Sequence, residues 1–254
     1  MSKMVKNPLF AIHHVARVGS TQDAVRRAAR SGAAAGYCCV AGEQTAGRGR
    51  QGRTWQAPAN TALLASVLVR TGPTTVPGVP FAAGLAVLDA LDRVAPIDAQ
   101  LKWPNDVMAG GRKLAGILTE LEPGAAPEDG RAAGVVGLGL NLRVPSFPAG
   151  ADGVSLDELA AVVPGRDRVL NAWLDALWRR IDALEARGMP ALLDEWRRRA
   201  VGLGATVTAT MGRGAVAGIA EDIADDGSLL VRTRDGVVRL VAGDVHIGAS
   251  PPDG

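Results

Sequence analysis

Cysteine is almost missing from this chain: 254 residues contain two, and they are adjacent, Cys38-Cys39. Neighbouring side chains on a strand point to opposite faces, so the pair is not expected to bond to itself. No CxxC spacing exists, and only three histidines are present. That excludes a disulfide framework and a Cys/His zinc site, and a reducing cytoplasm is the expected setting. Long apolar runs are also missing. Nowhere do about 18 apolar residues run together, and Met1 to His14 lacks an apolar core of signal-peptide length. The expectation is a soluble, intracellular protein with no membrane partner. Aromatics are few, at 4%. Charge of one sign is missing too: the formal net charge is +2, with 24 Lys+Arg against 19 Asp+Glu in residues 1–200 and 4 against 7 in residues 201–254. A dedicated nucleic-acid binder normally has a domain pI above about 9 with its charge gathered on one face. No DNA partner is expected.

What is present reads as an ordinary globular chain, 47% hydrophobic and 21% charged, with no repeat or low-complexity tract. Its length allows one or two domains of about 100–200 residues. One stretch stands apart: Gln44-Thr45-Ala46-Gly47-Arg48-Gly49-Arg50-Gln51-Gly52-Arg53-Thr54-Trp55. Glycine disfavours helix and strand, so the segment reads as a loop. Glycine lets backbone approach a ligand, and guanidinium forks bind phosphate and carboxylate bidentately, so a small anion or phosphate chain suits it. Considered alone, it could equally be a solvated basic loop or an RNA-binding segment.

Around it, the elements read in order. Ser20-Thr21-Gln22-Asp23 opens a helix, with the Ser20 hydroxyl expected as its cap and Gly32 as its end. Strands are expected at 37–41 and 60–69. Phe81, Leu85, Leu88 and Leu91 mark a core-facing helix that stops at Pro96. A strand at 100–103 leads into the turn Pro104-Asn105-Asp106, and a hairpin covers 107–121. Residues 122–133 read as a surface loop. The next strand, 135–142, carries Gly137 and Gly139 at period two, baring one face for close approach. Ser155 and Glu158 form a capping box. Amphipathic helices follow, with Trp173, Trp178 and Trp196 as core or helix-packing residues, and after Gly204 come five short strands separated by Asp-Gly turns, suggesting a small barrel. The expected fold is α/β (α+β): a mixed sheet flanked by helices over residues 1–203, then a small SH3-like barrel over 204–254.

Four segments in this order are more specific than any one alone. They are the glycine-arginine loop, Lys102-Trp103-Pro104-Asn105-Asp106, Lys113-Leu114-Ala115-Gly116-Ile117-Leu118, and Gly137-Leu138-Gly139-Leu140-Asn141. Together, and followed by an all-β tail, they resemble the biotin–protein ligases from about Gly19 to His246. The resemblance implies ATP-dependent attachment of biotin, through biotinyl-5′-AMP and with Mg2+, to a lysine of the biotin carboxyl carrier domains of carboxylases. It implies that Ser20, Thr21 and Gln44 hold the biotin head group, that Gly47, Arg48, Gly49 and Arg50 belong to a loop closing over biotin and the adenylate and ordering when ligand binds, and that Gly116, Gly137 and Gly139 leave space for biotin. Lys113 would contact the reacting carboxylate and α-phosphate. Arg53 would hold nucleotide phosphates, Trp55 would stack on adenine, and Asn105 and Asn141 would contact the nucleotide. Asp106 would help hold metal or orient the attacking lysine, which leaves Lys113, Arg50 and Asp106 as the expected catalytic set. Lys102 reads either as a ligand or as an ion-pair partner.

Two departures accompany the resemblance. Gln22 stands where the family usually has asparagine after Ser-Thr. Only 19 residues precede Ser20, too few for the DNA-binding domain of many bacterial members, so repressor activity is not expected. A monomer or a homodimer fits equally. Lipoate–protein ligases share the chemistry but usually carry a glycine triplet and histidine after the arginines, which this loop lacks. A nucleic-acid-binding protein using the Gly-Arg loop is the other alternative, against which stand the acidic tail and its scarce aromatics.

Overall fold

A computed structural model describes residues 10–125, 130–211 and 214–248. In order, the elements are β1 (Ala11–Val18), α1 (Thr21–Arg30), β2 (Tyr37–Gln44), β3 (Ala62–Thr71), α2 (Val79–Val94), β4 (Ala99–Lys102), β5 (Asp106–Ala109), β6 (Arg112–Leu121), β7 (Ala132–Asn141), α3 (Leu156–Leu159), α4 (Arg166–Arg187), α5 (Pro190–Arg198), β8 (Ala200–Val201), β9 (Thr206–Met211), β10 (Gly214–Ile223), β11 (Leu229–Thr233), β12 (Gly236–Leu240) and β13 (Asp244–Ile247). The first eight strands make one mixed sheet in the order β1-β2-β3-β7-β6-β5-β4-β8, parallel only at β1–β2 and β4–β8. The last five make an antiparallel sheet in the order β12-β11-β10-β9-β13.

Alternation along the central strands separates two faces. Cys38 and Val40 join the main core while Cys39 packs with Leu68 and Val135 on the other side, so the adjacent cysteines do diverge. The main-core face is covered by α2 and α4. Helix α2 starts at Val79-Pro80, where a missing N–H costs nothing, and ends before Pro96. Leu85, Leu88 and Leu91 are fully buried, and truncating any one of them to alanine should cost about 2–5 kcal/mol. The opposite face receives α1, through Val25 and Ala29. It is on this face that Gly116, Gly137 and Gly139 lie bare, because Ile117, Leu138 and Leu140 fill the core on the other.

Several expectations need correction. The Ser20 hydroxyl makes no cap bond to α1; it is buried without a partner, because the helix starts inside a pocket rather than at the surface. Strand β2 runs on to Gln44, since the absent side chain of Gly42 lets the Ala16 carbonyl approach: a Cβ there would lie 2.7 Å from it. Asn60 is not in a strand but in a left-handed turn, φ 63°. The 122–133 segment is not uniformly a surface loop. Glu122 is 2% exposed and takes hydrogen bonds from Arg30 (2.9 Å) and Arg26 (2.7 Å) of α1, while residues 126–129 lie outside the described ones. Those bonds, Arg30's first, hold its carboxyl down at about 2. The three tryptophans do match their expectation: Trp173 and Trp196 are core, and Trp178 packs half-buried from α4 against Phe10. Strand β8 has no counterpart in the sequence reading.

The five-strand sheet shares its core with the first through Val207, Ile223 and Val231. The Trp103 indole N–H, from the end of β4, donates to the Gly227 carbonyl in the β10–β11 turn at 3.0 Å. We propose a domain boundary at the turn Gly202–Gly204, which lies between β8 and β9.

Candidate active site

A pocket of about 130 Å³ opens on the α1 face, between the N-terminus of α1, the bare glycines of β6 and β7, and the glycine-arginine segment. Its floor is neutral and polar. Ser20, Thr21 and Gln22 are each under 5% exposed. The Gln44 side-chain oxygen accepts from the Thr21 backbone N–H (2.7 Å) and hydroxyl (3.0 Å), tying β2 to the start of α1. Thr21 Oγ1 and Ser66 Oγ of β3 are 2.8 Å apart and share a hydrogen bond. The Ser20 hydroxyl makes none. A buried hydroxyl without a partner is costly, of the order of 1–3 kcal/mol, so an unmet group facing a cavity points to a ligand.

The wall is bare backbone and one aromatic ring. Gly116 pairs directly with Gly139 across β6 and β7, and Gly137 follows on the same face. The Trp55 indole lies on this strip: a Cβ on Gly139 would stand 2.4 Å from it and one on Gly116 3.0 Å. Its ring N–H is also buried without a partner. Glycine-arginine sequence does not leave this segment shapeless, as a plain loop reading suggests. It folds back as a tight hairpin, with Trp55 N–H donating to Gly47 O (3.0 Å) and Gly49 N–H to Arg53 O (2.7 Å) around a 3-10 turn at Arg50–Gly52. Gly47 does not line the pocket, yet it allows the hairpin, since a Cβ there would lie 2.4 Å from the Trp55 carbonyl.

The mouth is charged. Lys113 Nζ lies 2.6 Å from Asp106 Oδ1 and 5.7 Å from the Trp55 ring centre. Arg50 donates to Asn105 Oδ1 at 3.2 Å, and Asn105 donates to the Ile117 carbonyl at 2.9 Å. Burial lowers the Arg50 pKa from its ordinary value against the pull of Asp244 and Asp106. Lys102 is likewise lowered, by burial first, with Asp106 opposing. Arg53 pairs with Asp244 of β13. Arg48 reaches away from the mouth to Asp23 of α1 (2.8 Å) and Glu120 of β6 (2.7 Å). Fixed cations around one cavity would hold an anion; of the four arginine and lysine groups that line it, Arg48, Arg53 and Lys113 already have carboxylate partners.

Of the sequence-derived set, Ser20, Thr21, Gln44, Arg48, Gly49, Arg50, Arg53, Trp55, Asn105, Asp106, Lys113, Gly116, Gly137 and Gly139 line this one pocket. Asn141 does not. It is 4% exposed, and its amide N–H groups donate to the carbonyls of Lys113 (3.3 Å) and Val154 (3.1 Å), bracing the strand that carries Lys113. Ser66, Glu120 and Asp244 went unnoticed, and Asp23 was read only as part of the helix start. Only Ser66, a lone polar residue inside an apolar strand, had a signal that could have been found. Among the described residues no group of three His, Cys, Asp or Glu is placed to hold a metal.

The chain is similar to known proteins over most of its length. Residues 15–141 match the Biotin/lipoate A/B protein ligase family, and residues 202–248 match the Biotin protein ligase C terminal domain. The chain is 40% identical over 240 residues to the biotin–[acetyl-CoA-carboxylase] ligase of Mycobacterium tuberculosis, covering 91% of this chain and 86% of that one. The chain belongs to the Biotin/lipoate A/B protein ligase family. Two solved members superpose on it: the Aquifex aeolicus biotin protein ligase in complex with biotin and ATP, at TM-score 0.78 and 26% identity over 94% of this chain and 99% of that one, and the Leishmania major biotin protein ligase in complex with biotinyl-5-AMP, at TM-score 0.63 and 25% identity over 91% and 99%. The family match spans β1 to β7, the elements that supply the lining of the pocket, and the second match spans the sheet that supplies Asp244.

Proposed function

We propose that this protein is an ATP-dependent biotin–protein ligase that forms biotinyl-5′-AMP and transfers biotin to a lysine of a biotin carboxyl carrier domain. The observation that carries the reading is the polarity of the pocket along its length: a neutral floor with an unmet hydroxyl, a glycine-and-tryptophan wall, and a cationic mouth. Biotin has that order of parts, a neutral ureido ring, an apolar chain and a carboxylate. Trp55, against Gly116 and Gly139, suits the chain of the vitamin better than adenine.

In the first step a biotin carboxylate oxygen attacks the α-phosphorus of ATP, the bond to the β-phosphate bridging oxygen breaks, and pyrophosphate leaves. Both partners are anions, and Lys113 and Arg50 supply the fixed charge that brings them together; one such donor can be worth about 3–4 kcal/mol. Arg53 lies within the same mouth for the outer phosphates. Mg2+ would be carried chiefly by phosphate oxygens, with Asp106 as the carboxylate of the pocket able to join them. In the second step a deprotonated acceptor lysine attacks the carboxyl carbon of the mixed anhydride, and AMP leaves with its bonding pair. Asp106, beside Lys113, would orient the incoming ammonium and accept its proton.

Isotope exchange between pyrophosphate and ATP, measured with biotin and separately with lipoate, tests this reading. Exchange dependent on biotin, followed by labelling of a carrier-domain lysine, is expected. Exchange with lipoate alone would move the protein to the other branch of its family, and exchange with neither would refute the proposal.

A further inference from the structure

The three bare glycines of the pocket do not face the same neighbour. The space over Gly116 and Gly139 ends at Trp55, whereas a Cβ on Gly137 would meet the side-chain oxygen of Gln22 at 2.6 Å and Ser66 Oγ at 3.2 Å. Gln22 is 3% exposed and lines the pocket beside the neutral residues Ser20, Thr21 and Ser66. Its amide nitrogen donates to Val135 O of β7 at 3.1 Å and to Leu118 O of β6 at 3.4 Å, and its oxygen accepts from Ser66 Oγ of β3 at 3.1 Å. One side chain from α1 is thereby anchored to three strands, which removes its rotamer freedom and makes it a rigid stop. Asparagine at this position would be one methylene shorter. From the same Cα it could not span both Val135 O and Ser66 Oγ, and the volume beside Gly137 would open.

We infer that Gln22, held by Ser66, sets the depth of the pocket and so limits the size of the ring end of the acid that can be activated. This rests on the reading that the acid enters ring first, with its carboxylate at Lys113. Gln22 is then a specificity-determining residue: it acts on which acid fits, not on the transfer itself. Its amide N–H groups are used by the strands, so its side-chain oxygen is the atom presented to a ligand. A ring carrying an added group at its far end meets that oxygen and is excluded. Loss of one methylene of fit in an apolar or well-packed pocket is worth about 10–200-fold in discrimination.

The test compares biotin with biotin methylated on a ureido nitrogen, as substrates for pyrophosphate exchange, in the parent and in Gln22→Asn and Gln22→Ala. The parent should reject the methylated acid. Both variants should raise its kcat/KM relative to biotin by about tenfold or more, with the change carried chiefly by KM. Should Gln22→Ala fold poorly, Gln22→Asn decides alone, and a second readout accompanies it. Gly137→Ala should weaken biotin binding strongly in the parent and much less when combined with Gln22→Asn, because the two side chains contend for one space. An unchanged ratio in a folded variant, or Gly137→Ala effects that simply add to those of Gln22→Asn, would overturn the inference while leaving biotin activation intact. Failure of the parent itself to activate biotin would instead sink the functional reading and this inference with it.

Discussion

The two ends of the pocket are built on opposite principles. At the floor, Thr21, Gln44, Ser66 and Gln22 satisfy one another through short bonds between three strands and a helix, and nothing charged is present. At the mouth, Lys113 and Arg53 are each matched by a carboxylate, Asp106 and Asp244, and Arg50 by an amide oxygen. A neutral network of this kind is pre-organised and changes little when a ligand arrives, so it selects by shape. A cation already paired must exchange one anion for another, so the mouth holds its charge in place without exposing it bare. On the proposed reading, recognition belongs to the rigid end and chemistry to the exchangeable one. The glycine-arginine hairpin belongs to both, because Arg48 fastens it to α1 and β6 beside the floor while Arg50 and Arg53 serve the mouth.

Breaking the mouth should have the largest effect. Lys113→Ala is expected to lower biotin-dependent pyrophosphate exchange by about 10²–10³-fold while leaving the melting temperature within a few degrees of the parent. A loss under about tenfold would shift the principal charge to Arg50.

The support beneath the floor comes next. Glu122 holds Arg30 and Arg26, and with them the helix whose first turn forms the floor. Glu122→Ala should cost about 1–3 kcal/mol, since its carboxyl is buried while Arg30 is half exposed to water. The pH dependence has a definite sign. The Glu122 pKa falls from an ordinary 4.5 to about 2 on folding, so its stabilisation is complete above the unfolded value and disappears as pH drops through that interval. Melting temperatures of the parent should therefore fall between about pH 5 and pH 2 more steeply than those of Glu122→Gln. Parallel curves would show that the carboxylate is not what acid attacks.

A smaller effect is expected on the wall. Gly139→Ala puts a Cβ into the Trp55 indole, and overpacking of about 1–3 kcal/mol should appear mainly as a KM for biotin raised about tenfold, with kcat changed less. If kcat fell instead, Trp55 would be positioning the reacting group rather than walling the chain. Least is expected from Asp244→Asn. Its partner Arg53 has a side chain 59% exposed, so stability should change by under about 1 kcal/mol. The KM for ATP should fall modestly, by less than about threefold, because Arg53 no longer has an anion to release. A rise would mean that Asp244 positions Arg53 rather than competes for it.

How much of this was legible beforehand follows the range of each interaction. Helix α2 was readable from apolar residues three and four apart and from Pro96. The bare strip was readable from glycines two apart on one strand, and the five short strands from their turn residues. Most of the candidate site was readable as well, because glycine-arginine, Pro-Asn-Asp and Gly-x-Gly each carry chemistry within a few residues. Glu122 looked like loop because nothing nearby in sequence reveals that Arg26 and Arg30 come to it from 96 and 92 residues away. Strand β8, two residues long, exists because β4 offers it an edge. Ser20 read as a cap because the local pattern is that of a cap; its burial in a pocket overruled the pattern.

By itself, then, the sequence determined the kinds of element, their order, the bare backbone and the charges available, since each depends on residues close together along the chain. Tertiary structure alone decided which groups meet: Gln22 with Ser66 and Val135, Arg48 with Glu120, Arg53 with Asp244. Those pairs lie between 44 and 191 residues apart. At such separations local propensity carries no information, and only the packing of the sheet against its helices brings the partners within bonding distance.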